Sequence, residues 1–319
     1  MRETRQEGIP PTEGPMSVVI ATRDRGELPA MAVRSVLAPR DPDLEVIVVD
    51  QSTGDATERA LQPLAGDPRL RYVRAASRGV SNARNLGVEQ AREGIVVCID
   101  DDCEAEPGWR EAFEAAFRLD PRIGVVAGIV CAAPHGAADI VPAYHRDEPY
   151  LARTVREKHR VEGLSACMAM RRAVWKGLGG FDPMLGAGAP FRSGAESDLV
   201  LRALEHGWWV YETPAVSVIH YGFRSGDDAR ELIRSYWFGT GAMLVKNLRR
   251  GCWDVFFLLG RLAMRWAVGH PPVDIGRRRH RWLRLHAFLL GGFQGATTPL
   301  AGDAGHFVNL KAANPTLPS

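Results

Sequence analysis

The chain has 319 residues, of which 45% are hydrophobic and 24% charged, with a formal net charge of +2. These are ordinary globular proportions, so a disordered, collagen-like or fibrous chain is excluded, and the length admits one large α/β domain with an appendage or two ordinary domains. The near-neutral total hides an asymmetry, because residues 249–284 carry nine arginines against Asp254 and Asp274, which makes the C-terminal third the basic part.

The five cysteines are scattered, with no C-x-x-C pair, and a reduced, cytoplasmic setting is expected. The opening MRETRQEGIPPTEGP lacks the apolar core of a secretory signal, and residues 1–13 read as a flexible lead-in. Arg261 and Arg265 interrupt the best apolar run after Val255–Gly260, so no stretch reaches the roughly 18 apolar residues of a membrane-spanning helix.

In chain order, Ser17–Thr22 and Leu44–Asp50 are short apolar runs on either side of a helical stretch at 27–38. Continuous rather than alternating apolar runs predict strands covered on both faces, as in parallel sheets. Leu70–Ala75 repeats the strand pattern. Val80, Ala83, Gly87 and Ala91 then recur at helical spacing, a small stripe suited to close packing on a sheet. Gly94–Asp100 is a further buried strand, Pro107–Leu119 a helix, Ile123–Val130 a strand, and 131–149 a loop or boundary. Residues 161–170 predict a strand and 171–177 a short helix. Gly179–Gly194, with five glycines and two prolines, predicts an irregular substrate loop. Glu196–His206 predicts a helix with acids in its first turn and Gly207 as its stop. Trp208–Tyr211 and Val216–Tyr221 predict two strands, and from 228 onward the pattern is helical and basic.

Ligands of parallel α/β sheets bind beyond the carboxyl ends of strands, and three such ends carry polar residues: Thr22-Arg23-Asp24, Asp50-Gln51-Ser52 and Asp100-Asp101-Asp102. A lone aspartate there is ordinarily a turn or cap. Three in a row repel one another unless a cation or hydrogen bonds compensate, which points to Mg2+ or Mn2+ held by one or two carboxylates and by the phosphates of a diphosphate ligand.

Taken together and in order, VVIATRDR, VIVVDQST, GVSNARNLGV, VVCIDDDCEAEPGW, GGFDPMLGAG, GAESDLVLRA and VIHYG resemble the family 2 inverting glycosyltransferases with the GT-A fold, over about residues 16–224. The resemblance implies an α/β, mostly parallel sheet sandwiched by helices. Its catalytic domain would cover 14–224, with a donor half at about 14–130 and an acceptor half at about 150–224, followed by a helical extension at 225–319. It implies nucleotide contacts from Thr22, Arg23, Asp50, Ser52, Arg84, Asp100 and Asp101, with Asp50 on the base. It also implies a metal on Asp102 and Asp100 with His220 completing the site. The donor would be a UDP-, dTDP- or GDP-sugar, and the acceptor a glycan, a lipid-linked molecule or a small molecule. Where the family usually shows Asp-Gly or Asp-Asp after the second strand, this chain has Asp50-Gln51. The acceptor-activating acidic pair reads Ala195-Glu196-Ser197-Asp198, with Glu196 favoured as base and Asp198 the runner-up.

Each of these residues also has a plainer reading. Glu196 suits a helix N-terminus, His220 a buried core position, and Trp109 helix packing as readily as stacking on a sugar. Gly186 and Gly188 either admit the donor sugar or simply loosen a loop. Trp253, Phe256, Phe257, Leu262 and Trp266, set among basic residues, form either an interfacial helix on anionic lipid, peripheral on the inner face of the membrane, or a face packed on the catalytic domain. The acidic cluster and near-neutral charge argue against nucleic acid. A nucleotidyltransferase lacks support because no glycine-rich phosphate loop follows the first strand. A silent sugar-nucleotide binder or scaffold remains the alternative from another class.

Overall fold

Four strands build the first half of the sheet: the apolar β1 (Met16–Thr22) and β2 (Leu44–Asp50), the edge strand β3 (Leu70–Arg74) with its two arginines, and the apolar β4 (Ile95–Asp100). They run parallel in the order β3-β2-β1-β4 in the computed structural model, which describes residues 14–39, 41–136, 141–164, 166–267 and 281–308. Their lack of alternation has a direct cause. Val18, Ile20, Val46, Val48, Val97 and Ile99 share a core with α1 (Leu28–Leu37), α2 (Ala56–Leu61) and α4 (Trp109–Arg118), while Val19, Ile47, Val49 and Val96 meet α3 (Val80–Gln90) on the opposite face. Gly87 of α3 lies so near Val19 that a Cβ there would overlap both valine methyls.

Beyond β4 the sheet is mixed. β8 (Cys167–Arg171) runs antiparallel to both β4 and β6 (Ile123–Ala132), and β6 pairs in parallel with β9 (Trp209–His220). The short β5 (Cys103–Ala105) and β7 (Tyr150–Ala152) lie antiparallel on β9, giving this sheet nine strands among the described residues. The two strands expected at 208–211 and 216–221 are one, because β9 continues through Pro214 and shifts register against β6 between Ala127 and Ile129. The strand expected at 161–170 is confined to its end, Cys167 onward. Following α5 (Arg172–Gly177), residues 178–194 form no helix or strand until α6 (Ala195–Glu205).

The C-terminal elements are α7 (Gly226–Arg249), α8 (Val255–Ala267), α9 (Arg281–Thr297) and a hairpin of β10 (Leu300–Ala301) and β11 (His306–Phe307). Ile233, Trp237, Phe238, Ala242 and Met243 of α7 share one hydrophobic cluster with Met168, Leu199 and Leu201, so α7 closes the core of the sheet's second half. Among the described residues no helix is long and apolar enough to cross a membrane. The lead-in at 1–13, and residues 268–280 and 309–319 of the basic region, lie outside the described residues.

The Gly87 contact sets a measurable constraint. Gly87→Val should lower the unfolding free energy by about 2 kcal/mol or more, because overpacking outweighs the gain in helix propensity. Chemical denaturation checks this, and an unchanged midpoint would mean that α3 does not sit on β1 as described.

Candidate active site

Strand register sets the polar ends side by side. Thr22 pairs with Asp50, and Ala21 with Asp100. After the turn at Asp101–Asp102, Cys103 of β5 pairs with His220 of β9, and this pairing carries the distant histidine to Asp102. The Tyr221 N–H donates to the Asp102 carbonyl at 2.8 Å and fixes the same junction. A cleft of about 380 Å³ opens here, lined on the sheet side by Thr22, Arg23, Arg84, Asp100, Asp101, Asp102 and His220, and on the facing side by Gly186, Gly188 and Glu196.

Each carboxylate in the run has its own compensation. Arg84 donates to Asp100 Oδ1 at 2.6 Å, and the Thr22 hydroxyl donates to Asp101 Oδ2 at 2.6 Å. Arg25 Nε lies 3.4 Å from Asp101, and the same guanidinium pairs with Asp102. His220 Nε2 is 3.1 Å from Asp102 Oδ1. Burial pushes Asp101 up to about 6, against the pull of the Thr22 hydroxyl. Burial also works to raise Asp102, but His220 and Arg25 outweigh it and hold the carboxyl below its usual range. His220 is affected in the reverse sense: burial disfavours its charge, and Asp102 more than restores it.

The donor set fits a hard divalent cation. His220 Nδ1 lies 2.8 Å from the Pro142 carbonyl, so with Nδ1 as the donor the Nε2 lone pair is left on the Asp102 side. Gly222 packs against that nitrogen, and a Cβ at 222 would fill the space beside Nε2 and Asp102 Oδ2. Asp102 and His220 offer carboxylate oxygen and imidazole nitrogen within 4.8 Å of each other and of Cys103 Sγ. Burial raises the Cys103 thiol far above its ordinary value, which disfavours its thiolate.

The glycine-rich loop forms the opposite wall. Gly186 and Gly188 have φ of +97° and +75°, where a side chain would be strained. The loop is tied to the start of α3 by the Val80 N–H donating to the Ala187 carbonyl and by Ser81 Oγ donating to the Leu185 carbonyl. Glu196 follows in the first turn of α6, half-buried, and its charge acts on Arg84 and Tyr236. Among the described residues no hydrogen bond or ion pair occupies its carboxylate.

Four expected residues lie elsewhere. Asp198, two positions after Glu196, is fully buried away from the cleft. It accepts from Arg202 Nε at 2.8 Å and Asn247 Nδ2 at 2.9 Å, and it pairs with Lys246 Nζ at 2.8 Å. A carboxylate so engaged has no route to an acceptor proton. Asp50 is also fully buried, its oxygens accepting from the Ser52 N–H and the Tyr72 hydroxyl at 2.8 and 2.7 Å. Ser52 Oγ accepts from the Asp24 N–H at 2.7 Å. Trp109 is 2% exposed and packs edge-on against Phe113, so it cannot stack on a sugar. Conversely, the cleft includes Arg25, Gln51, Arg224 and Tyr236, which are not among the contacts expected from sequence. Arg25 and Gln51 continue polar strand ends already noted, whereas no local pattern marks Tyr236 within a long helix.

Residues 17–174 match the model of Glycosyl transferase family 2. Over these residues the chain is similar to that family. It is 30% identical over 118 residues to a glucosyl-dolichyl phosphate glucuronosyltransferase of Haloferax volcanii, covering 36% of this chain and 38% of that one. It is 28% identical over 221 residues to an uncharacterized protein of Mycobacterium tuberculosis, covering 65% of this chain and 74% of that one. The alignments span about a third of the length of the first curated relatives it matches. Its fold is that of GT-A glycosyltransferases, a mixed α/β architecture with a large sheet flanked by helices. It is similar to the mannosyltransferase PcManGT from Pyrobaculum calidifontis, whose structure holds GDP-Man and Mn2+, with a TM-score of 0.56, 19% identity, and coverage of 90% of this chain and 88% of that one.

The two acids of α6 should separate by stability. Asp198→Asn leaves Arg202 buried against an uncharged partner and Lys246 with Asp182 as its remaining anion, and should cost roughly 3–5 kcal/mol, whereas Glu196→Gln should change stability by less than about 0.5 kcal/mol. Burial alone would raise the Asp198 carboxyl, but Arg202 and Lys246 hold it below the usual range. Its folded value therefore lies beneath the unfolded value of about 3.9. The contribution is complete above about pH 4 and is lost as the pH falls through the folded value. Denaturation of both variants across acidic pH checks this, and a stable Asp198→Asn protein would contradict it.

Proposed function

We propose that the chain transfers a sugar from a nucleoside diphosphate-sugar to an acceptor hydroxyl with inversion, assisted by Mg2+ or Mn2+. One observation carries the reading: the cleft that gathers Asp100, Asp101, Asp102 and His220 also holds, among the described residues, a single unengaged carboxylate, that of Glu196. The family match and the GT-A fold support it.

Asp102 and His220 would hold the cation, with Asp100 beside them. When bound, the cation would stabilise negative charge on the leaving diphosphate. Arg23, Arg25, Arg84 and Arg224 supply fixed positive charge around the same space. Glu196 would take the acceptor proton as the hydroxyl attacks the anomeric carbon, a role that requires an accessible carboxylate. Asp198 is assigned instead to fixing the helix that presents Glu196. Because the Asp50 carboxylate is engaged within its own loop, contact with the base falls to Gln51, which lines the cleft and is steadied by Nε2 hydrogen bonds to Ser77 and the Gly79 carbonyl at 3.1 and 3.2 Å. A lipid-linked acceptor has a precedent in the name of the Haloferax volcanii relative; a glycan or small-molecule acceptor suits the same open cleft.

Melting curves with UDP, dTDP and GDP, with and without Mn2+, test the donor site. One nucleotide should stabilise the protein only with the metal, and Asp102→Asn should abolish the shift. Glu196→Gln should keep the shift and lower kcat by roughly 10²–10⁴. Absence of any metal-dependent shift would overturn the donor site, and full turnover by Glu196→Gln would overturn the base.

A further inference from the structure

Helix α9 presents its large apolar side chains to solvent. Its inner face is Ala287, Gly291 and Gly295, spaced four apart, and it approaches α7 so closely that a Cβ on Gly291 would overlap the Phe238 carbonyl. On the outside, Trp282, Leu289 and Phe293 are 80, 59 and 70% exposed, at spacings of seven and four that keep them on one face. The neighbouring α8 repeats the arrangement. Trp253 just before it, and Phe256 and Met264 within it, are 69, 58 and 62% exposed, and the rings of Trp253 and Phe256 lie nearly parallel. The two helices adjoin, since Trp237 of α7 touches both Trp266 and Phe288, and Arg281 donates to the Trp266 carbonyl at 2.7 Å. Nothing among the described residues covers these side chains, and soluble monomers seldom leave large apolar patches exposed.

The charge beside this surface selects the occupant. His159 sits against Phe257 with ring centroids 6.0 Å apart. Its charged form is disfavoured first by burial and then by Arg261, Arg160 and Arg265, so positive charge gathers near His159 and Phe257. Arg156 lies over the Phe257 ring and is the one paired with Asp254, at 2.8 Å. Aromatic and aliphatic side chains flanked by arginines match the boundary between headgroups and acyl chains of an anionic bilayer, with rings below and guanidinium groups on phosphate. A symmetric contact with a second copy would instead bring two such arginine clusters into one interface.

The geometry points to α8 and α9 as a surface that rests on an anionic lipid bilayer. This placement is independent of the glycosyl-transfer reading. Flotation of the full chain with vesicles of phosphatidylcholine alone, and with equimolar phosphatidylcholine and phosphatidylglycerol, tests it. Recovery should be at least about tenfold higher on the anionic vesicles and should fall with added salt. Trp282→Ser combined with Phe293→Ser, and separately Arg261→Glu, should each reduce that binding about tenfold or more. These side chains are exposed, so melting and any nucleotide-dependent shift should be unchanged, which keeps the lipid result distinct from the donor-site result. Absence of binding to anionic vesicles, or binding that survives both sets of substitutions, would overturn the inference. So would a concentration-dependent dimer that Trp282→Ser with Phe293→Ser dissolves, since the stripe would then belong to a second copy.

Discussion

Three carboxylates in succession at the end of a buried strand repel one another, and much of the surrounding structure compensates that repulsion. The compensating groups come from separate parts of the chain: Thr22 and Arg25 from the end of β1, Arg84 from α3, and His220 from the last strand of the sheet. None is near Asp100–Asp102 in sequence. Parallel register of β1 with β4 brings in the first pair, and the antiparallel pairing of Cys103 with His220 brings in the last. The acidic run is tolerable only in the complete fold, which is the condition expected of a site that gains a cation and phosphate groups on binding.

A second cluster of charge holds the structure together out of contact with the cleft. Asp182 from the glycine-rich loop and Asp198 from α6 are fully buried and both pair with Lys246 from α7, and Asp182 also accepts the Phe307 N–H of the terminal hairpin at 3.0 Å. Three elements, the loop, α7 and the hairpin, are thereby fixed around the helix that carries Glu196. Buried pairs contribute little net stability compared with an apolar core but are costly to break singly. The network therefore acts chiefly to hold the loop and α6 in one arrangement. Two acids in the same helical turn thus have opposite fates, Glu196 open to the cleft and Asp198 saturated.

The first half of the sheet was legible because its central strands are covered on both faces, and an unbroken apolar run as short as Val46–Val49 is what such coverage demands of a strand. The Gly87 stripe was legible for a similar reason, since small residues at helical spacing signal close packing. What escaped local reading depends on distant partners. β9 was split in two because Thr213 and Pro214 interrupt its apolar pattern, yet pairing with β6 carries the strand across a shift in register. Asp50 and Trp109 stand at positions suited to ligand contact, but Tyr72 and Phe113 turn them inward. The saturation of Asp198 requires Lys246 and Asn247, which belong to a helix whose sequence shows only an amphipathic, basic pattern.

The proposed chemistry turns on Asp102 and His220 together holding a divalent cation for a nucleoside diphosphate. Anomalous diffraction from crystals soaked with Mn2+ and the nucleotide that raises the melting temperature tests this most directly. The expected result is one manganese peak bonded to Asp102 and His220 Nε2, with Arg25 displaced from the carboxylate and the diphosphate on the exposed side of the metal. A nucleotide bound with no manganese at these two residues, or manganese held elsewhere in the cleft, would contradict it.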